Sequence, residues 1–351
     1  MHSRPFRFGV ATGSARSRAE WVSRARRAEF LGYATLVVAD HLSTGLAPLS
    51  ALAIAAEATT SLRIGSLVFC NDFRHPALLA REVATLDLLS DGRFEFGLGA
   101  GYLPDDYTQL GSAFDAPGTR ISRLEEAIQL IGRLWTEESV PFAGTYYTLK
   151  EMQGKPKPLQ RPYPPLYIGG TAKCMLSLAA RYADIVGIGF AAWGEQASSV
   201  TPEAIAQKVA WVREAAGQRF EQLELSFTVF HLAITESTRH REGERSVSPS
   251  PNAAPSAQSA FHVLSGSREQ MLSNSSRGEN NTVSPTFRCL MPRWRRSLRS
   301  SPGWQGDNRR EDSRRSSSDP IFLRPHERWM TSAEERKEQA FCTQQYVVSR
   351  A

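Results

Sequence analysis

Short apolar runs alternate with longer amphipathic segments along the first two thirds of the chain. Runs such as Thr35–Ala39 are apolar throughout, which is typical of strands buried on both faces of a parallel sheet. The pattern predicts strands at Phe6–Ala11, Thr35–Ala39, Leu62–Phe69, Arg93–Leu98, Pro165–Ile168, Asp184–Ile188 and Leu223–Ile234. It predicts helices at Arg18–Phe30, Pro48–Thr60, Pro76–Ser90, Ile121–Thr136, Ala172–Tyr182 and Pro202–Ala216.

This alternation indicates an α/β fold. Strand–helix units of about 30 residues form parallel sheets with right-handed crossovers. Their number favours a TIM (β/α)8 barrel over an open doubly wound sheet, which stays the alternative. Pro141–Leu149 is predicted to be a small hairpin outside the repeat. An eighth strand and helix are not recognisable, so we predict an incomplete barrel with unpaired edges on its first and seventh strands.

The repeat stops near Thr235, and the composition changes after residue 240. We therefore predict a barrel over residues 1–240 and a Ser-, Arg- and Pro-rich, mostly disordered tail over residues 241–351. Within the tail, Ser259–Leu272 is expected to be structured. The net charge of +6 arises in the tail, which holds 18 Lys and Arg against 12 Asp and Glu, whereas residues 1–240 hold 24 of each. The barrel is thus neutral, and we expect it to bind no nucleic acid.

Composition and cysteine spacing argue against several other classes of protein. The content of 41% hydrophobic and 22% charged residues is ordinary for a globular protein. The four cysteines lie far apart, which argues against a disulfide framework or a metal site. No apolar run reaches the roughly 20 residues of a membrane helix, and the N-terminus has no signal-peptide core. We therefore expect a cytoplasmic protein without a membrane partner.

Polar side chains follow two of the predicted strands, and in a parallel barrel such strand ends share one face. His41 follows the second strand and can act as an acid or base near neutral pH, while the neighbouring Asp40 can contact a ring N–H. The alternative is a capping Asp beside an ordinary surface His. Asn71 follows the third strand and can bond a planar ligand amide or simply turn the chain.

Two glycine-rich strand ends complete this set. Ala84–Tyr102 ends in Gly-x-Gly-x-Gly before Tyr102, and glycine lets a backbone approach a ligand closely. A plain packing contact between helix and strand is the alternative. Gly169–Thr171 precedes a predicted helix, so free N–H groups and the helix dipole can bind an anion there, unless the loop merely caps the helix.

Together these segments resemble the luciferase-like monooxygenase superfamily, in its branch of F420 (deazaflavin)-dependent oxidoreductases. The resemblance is carried by VVADHL (Val37–Leu42), LRIGSLVFCNDFRHP (Leu62–Pro76), ATLDLLSDGRFEFGLGAGY (Ala84–Tyr102) and PLYIGGTA (Pro165–Ala172). It covers about residues 5–235 and returns briefly at Phe261–Leu272. It implies a TIM barrel, coenzyme F420 as the cofactor, a small organic substrate and a homodimer.

The resemblance also implies roles for individual residues. The implied cofactor-binding residues are Asp40, Asn71, Gly99, Ala100, Gly101, Gly169, Gly170, Thr171 and Ala172. The implied catalytic residues are His41 and Tyr102, although Tyr102 stands where sugar-phosphate-oxidising relatives have a glutamate. We expect hydride transfer between the deazaflavin and the substrate, with an FMN-dependent monooxygenase on the same fold as the alternative.

A third alternative concerns the C-terminal third of the chain. GC-rich codons chosen for Glu279–Gln305 and read one base earlier yield a strand-like GVSYVPV followed by an amphipathic MEAFAPVVARLA. These two segments match the missing eighth strand and helix, in that order. On this hypothesis the chain is the inactive, poorly folded product of a frameshifted gene.

Overall fold

The computed structural model describes residues 6–43, 45–189, 202–229, 231–234, 263–266 and 345–350. One compact unit comprises Met1–Leu290 with Gln344–Ala351, and a second, Met291–Thr343, lies outside the described residues. Most of the tail predicted to be disordered also lies outside them. The division at residue 240, the disorder and the frameshift therefore stay predictions.

Strands and helices alternate through residues 6–229. The strands are β1 (Phe6–Ala11), β2 (Thr35–Val38), β3 (Arg63–Ser66), β4 (Phe69–Cys70), β5 (Phe94–Gly99), β6 (Val140–Ala143), β7 (Thr148–Met152), β8 (Leu166–Gly170), β9 (Ile185–Ile188), β10 (Glu224–Val229), β11 (His231–Ile234), β12 (Val263–Gly266) and β13 (Gln345–Arg350). The α-helices are α1 (Arg18–Phe30), α2 (Pro48–Ala58), α3 (Pro76–Leu89), α4 (Pro104–Leu110), α5 (Pro117–Thr136), α6 (Lys173–Tyr182) and α7 (Pro202–Ala216). No helix in the described ranges is long and apolar enough to be a membrane span.

Local signals in the sequence set several helix ends. The Ser17 side chain accepts a hydrogen bond from the Glu20 amide at 3.2 Å and so caps α1. Proline opens α3, where its missing N–H costs nothing, and His75 Nδ1 accepts from the Ala77 amide at 3.2 Å. Gly111 adopts φ 65° and ends α4 in the left-handed conformation that glycine tolerates.

Hydrogen bonds link eight strands into a closed ring. The order is β1, β2, β3, β5, β8, β9, β10, β13 and back to β1. The seven ring strands other than β13 are parallel to one another, which confirms the predicted α/β barrel. The hairpin of β6 and β7 lies outside the ring, as predicted, and the short β4 pairs with the last residues of β5.

The expected unpaired edges on the first and seventh barrel strands are not present. β13 lies between β1 and β10 and is antiparallel to both, with Phe8 opposite Val348 on one side and Phe227 opposite Val348 on the other. Sequence reasoning sought a parallel strand soon after β10, and so it missed an antiparallel one at the far end of the chain. The ring is closed by a strand of opposite direction, which satisfies the backbone groups that an open edge would expose.

A charged network fills the barrel interior near the N-terminal ends of the strands. Arg7 on β1 contacts Glu95 on β5 and Glu224 on β10, each at 2.7 Å, and Arg63 on β3 contacts Glu95 at 2.6 Å. A cavity of about 30 Å³ adjoins this network, which is enough for a water molecule. Since each carboxylate is buried and paired, the network ties four strands together at the end of the barrel away from the candidate site.

Two predicted strands are divided in the structure, and one helix was not predicted. The strand expected over Leu223–Ile234 consists of β10, which pairs with β9, and β11, which pairs with β12. The single strand expected over Leu62–Phe69 is divided into β3 and β4, which are separated by Leu67 and Val68, whose peptide bond is cis. The helix α4 was not predicted, because seven residues carry too little periodicity to stand out. Within the expected structured segment Ser259–Leu272, the structure has the strand β12, which pairs in parallel with β11.

We expect deletion of residues 345–351 to destabilise the barrel, because β1 and β10 then lose their shared neighbour. A loss of a few kcal/mol corresponds to a fall of at least about 5 °C in the midpoint of thermal unfolding for a domain of this size. Circular dichroism melts measure it, and deletion of residue 351 alone is the matched control. An unchanged midpoint in the longer deletion would contradict the closure of the ring by β13.

Candidate active site

The predicted site residues follow the C-terminal ends of β2, β4, β5 and β8. His41 lies three residues beyond the end of β2, and Asn71 directly follows β4. The turn from Gly99 to Tyr102 leads from β5 into α4, and Gly169–Gly170 ends β8. The parallel ring therefore brings these segments to one face, as the sequence predicts.

His41 stands between a buried carboxylate and an exposed phenol. Its Nδ1 lies 2.7 Å from Asp106 Oδ2, and its Nε2 lies 3.2 Å from the Tyr102 hydroxyl. The rings of His41 and Tyr102 meet edge to face, with centroids 5.4 Å apart. Partial removal from water and the charge of Asp106 raise the pKa of Tyr102, so this phenol stays protonated at neutral pH.

Asp40 does not contact the ring N–H of its neighbour His41, contrary to the sequence prediction. Its two oxygens accept hydrogen bonds from the guanidinium of Arg74, and Oδ2 also accepts from the Cys70 amide at 3.1 Å. Asp40 is 8% exposed, so this pair is largely withdrawn from solvent. The contacts describe a brace between the end of β2 and the end of β4, while a direct role of Asp40 in cofactor binding stays a prediction.

Asn71 presents one unused acceptor in a buried position. It is 1% exposed, and its Nδ2 donates to the Tyr147 hydroxyl at 3.0 Å. Among the described residues, its Oδ1 has no hydrogen-bond partner. A buried carbonyl oxygen without a partner is costly, and a ligand N–H or a water would satisfy it. The structure thus leaves Asn71 equipped for the ligand contact that the sequence suggests.

Gly97 and Gly99 at the end of β5, and Gly101 just after it, make room for protein atoms. A Cβ on Gly97 would collide with the Ser66 carbonyl, and a Cβ on Gly99 would lie 2.6 Å from Val68 Cγ2. Gly101 has φ 75°, and a Cβ there would collide with the Tyr107 hydroxyl. Close packing, the alternative reading of this motif, is therefore sufficient to explain these three glycines, and cofactor contacts of Gly99, Ala100 and Gly101 stay predictions.

The turn that carries Tyr102 is anchored by hydrogen bonds from buried side chains. The Tyr107 hydroxyl donates to Asp72 Oδ2 at 2.9 Å and lies 3.6 Å from Cys70 Sγ. The guanidinium of Arg120 donates to the Gly101 carbonyl and lies over the Phe114 ring at 4.0 Å. Burial raises the pKa of the Cys70 thiol to about 11, so this cysteine is no reactive thiolate at neutral pH.

The loop after β8 leads into α6, whose N-terminus has no side-chain cap. Thr171 is exposed, Ala172 is the N-cap residue of α6, and no described side chain caps the first amides of this helix. The Gly170 carbonyl accepts from the Gly189 amide at 2.8 Å, which holds the end of β8 against the end of β9. Free amides at a helix N-terminus suit an anion, and the predicted role of Gly169–Ala172 remains of that kind.

Sequence reasoning missed Asp106, Arg74 and Tyr147 at this site. Asp106 lies on a short helix that was not predicted, and it lies 65 positions from its partner His41. Tyr147 belongs to the turn of the β6–β7 hairpin, outside the strand–helix repeat. Glu126 on α5 accepts from the amides of residues 145–147, which fixes this turn beside Asn71. No signal in a single sequence reveals such long-range pairs.

The described residues form no cluster suited to a metal ion.

Comparison with known proteins assigns this chain to a family. A family model described as luciferase-like monooxygenase matches residues 1–275. An F420-dependent glucose-6-phosphate dehydrogenase of Amycolatopsis mediterranei is 32% identical over 232 residues, which is 62% of this chain and 68% of that protein. An FMNH(2)-dependent dimethylsulfone monooxygenase of Pseudomonas putida is 32% identical over 109 residues, or 31% of this chain and 30% of that protein. Two further F420-dependent dehydrogenases are matched over 55% and 52% of their length.

A solved structure shows the same fold. The coenzyme F420 dependent tetrahydromethanopterin reductase from Methanopyrus kandleri aligns with a TM-score of 0.55 and 21% identity, over 67% of this chain and 68% of that one. At this identity the likeness establishes the fold alone.

We expect Arg74→Gln to destabilise the protein by about 3 kcal/mol, the low end for breaking a buried ion pair, because Asp40 is left without its cation. Urea denaturation measures this loss. Arg81→Gln, which removes an exposed arginine from the same helix region, is the control. The double variant Asp40→Asn with Arg74→Gln should recover part of the stability, and a simple sum of the two single effects would contradict the brace.

Proposed function

This chain belongs to the luciferase-like monooxygenase family, and we propose that it is an F420-dependent oxidoreductase. It transfers a hydride between the deazaflavin and a small organic substrate over the C-terminal face of the barrel. The observation that carries the proposal is the set of groups that the site segments bring to that face. These are His41, whose Nε2 contacts the exposed Tyr102 hydroxyl, the Asn71 Oδ1 acceptor, which has no partner among the described residues, and the uncapped N-terminus of α6.

The residues present fit a deazaflavin cofactor. Asn71 Oδ1 is a buried acceptor that suits a ring N–H, and the amides at the start of α6 suit a phosphate-bearing tail. Gly99, the last residue of β5, packs directly on Val68, so no side chain projects from this position at the strand end. When bound, the deazaflavin supplies the hydride-carrying ring, and the protein supplies binding, orientation and exclusion of water.

His41 is proposed to handle the proton of the reaction. Oxidation of an alcohol carbon removes a hydride from carbon and a proton from oxygen, so a base at the oxygen is needed. His41 Nε2 faces Tyr102 at 3.2 Å on the solvent side and is unhindered by the Asp106 contact, which uses Nδ1. Tyr102 has a raised pKa and acts as a hydrogen-bond donor, which makes it a weaker acid than the glutamate it replaces.

The flavin alternative rests on a specific observation, the similarity to an FMNH(2)-dependent monooxygenase over 31% of this chain. The longer matches are to F420-dependent dehydrogenases, over 62% of the chain in one case, and they favour the deazaflavin.

The substrate is a separate question. Because Tyr102 replaces the glutamate expected for sugar-phosphate oxidation, glucose 6-phosphate is one of the substrates to test. A homodimer belongs to this proposal through the family resemblance, and a cytoplasmic location and the absence of a nucleic-acid partner belong to it through composition and charge.

We expect purified protein to bind F420 in preference to FMN. Titration of each cofactor at equal protein concentration, followed by fluorescence, measures the two affinities. A cofactor that binds the native state should also raise the midpoint of thermal unfolding as its concentration rises. Tight binding of FMN with no binding of F420 would overturn the choice of cofactor, and binding of neither would favour an inactive chain.

We expect His41→Gln to lower kcat for F420-dependent oxidation by about 10²-fold or more, because it removes the acid–base group. Affinity for F420 should stay near that of the unaltered protein. His75→Gln is the control, since His75 caps α3 and lies outside the proposed reacting position. Full activity in His41→Gln would contradict the assigned role.

A further inference from the structure

We infer that Asp106 is the positioning residue that fixes the tautomer and the orientation of His41. The catalytic consequence rests on the proposed function, whereas the tautomer itself does not. Asp106 is not adjacent to His41 in sequence, and the carboxylate that is adjacent, Asp40, is engaged by Arg74. The inference therefore depends on a contact that the fold creates.

Both oxygens of Asp106 are used by the segment that carries His41. Oδ2 lies 2.7 Å from His41 Nδ1, and Oδ1 accepts from the Leu42 amide at 3.1 Å. Asp106 is 3% exposed. With both oxygens turned inward and little contact with solvent, Asp106 acts on the reaction through His41 and has no oxygen directed to a substrate.

The helix α4 holds Asp106 in place. Pro104 opens this helix, and the next two residues differ in burial, because Asp105 is exposed and Asp106 is buried. The next residue, Tyr107, is 1% exposed, and its hydroxyl donates a hydrogen bond to Asp72. Gly111 ends the helix. The carboxylate is thus carried by a short element that is anchored immediately beside it, which limits its movement.

A carboxylate at Nδ1 determines which nitrogen of a neutral imidazole carries the hydrogen. An ionised carboxylate only accepts hydrogen bonds, so Nδ1 must be the protonated nitrogen and Nε2 must carry the free lone pair. The Tyr102 hydroxyl then donates to Nε2. When the imidazole gains a proton, Asp106 stabilises the cation, and Nε2–H can donate in turn.

Exposure rises along this series of groups. The Asp106 side chain is 4% exposed and that of His41 is 24% exposed, whereas Tyr102 is 66% exposed. The fixed end of the series is therefore buried, and the Nε2 side of His41, where the proton is handled, faces the exposed Tyr102. Without Asp106, the imidazole would be free to rotate or to place its hydrogen on Nε2, where it could no longer accept a proton from a substrate hydroxyl.

The test is the tautomer of His41, read from its ¹⁵N chemical shifts in alkaline buffer without any cofactor. His41→Gln assigns the signals. We expect the Nδ1–H form in the unaltered protein. In Asp106→Asn we expect the Nε2–H form or a mixture, because the amide can donate to Nδ1. Asp105→Asn, which removes the same charge one residue earlier, should leave the spectrum unchanged.

Kinetics supply the second readout. Asp106→Asn should lower kcat by about 10²-fold with little change in KM, whereas Asp105→Asn should have no effect and Asp106→Glu should restore part of the activity. An Nε2–H tautomer in the unaltered protein, or an unchanged tautomer and kcat in Asp106→Asn, would overturn the inference. If Asp106→Asn does not fold, the spectrum of the unaltered protein decides alone. Absence of F420-dependent turnover would overturn the proposed function and leave the tautomer result standing.

Discussion

Closure of a ring of strands that run in one direction is the constraint on which this protein depends. Because β1 to β10 are parallel around the ring, their C-terminal ends must meet at one face, and every candidate site segment lies there. The opposite end is occupied by the network of Arg7, Glu95 and Glu224. β13 closes the ring although it runs in the opposite direction. The seven parallel strands therefore still end at one face, without a parallel eighth strand.

Three buried carboxylates on the site face are used by the protein itself. Asp40 binds Arg74, Asp72 accepts from Tyr107, and Asp106 contacts His41. Each joins two segments that follow different strands. Together these contacts hold the segments of the site face in place. These carboxylates leave three groups unengaged: the Nε2 edge of His41, which contacts the exposed Tyr102 hydroxyl, the Asn71 Oδ1 acceptor and the start of α6.

The sequence predicted the barrel and most of its elements, because apolar strands and amphipathic helices leave local periodic patterns. It also placed His41, Asn71 and Gly169–Ala172 at strand ends. It did not reveal the aspartate that contacts His41, since adjacency in sequence says nothing about a side chain 65 positions away. It could not separate packing from binding at Gly99 and Gly101, because both need the same absence of a side chain. It missed β13, because pairing across more than a hundred residues leaves no local pattern.

We propose that F420 binds at the face where the parallel strands end. Amide hydrogen exchange with and without F420, followed by mass spectrometry, distinguishes this face from the opposite end of the barrel. F420 should protect the segments that follow β2, β4, β5 and β8, including the first turn of α6, and should leave exchange around Arg7 and Arg63 unchanged. Protection confined to the opposite end of the barrel, or no protection at saturating F420, would contradict it.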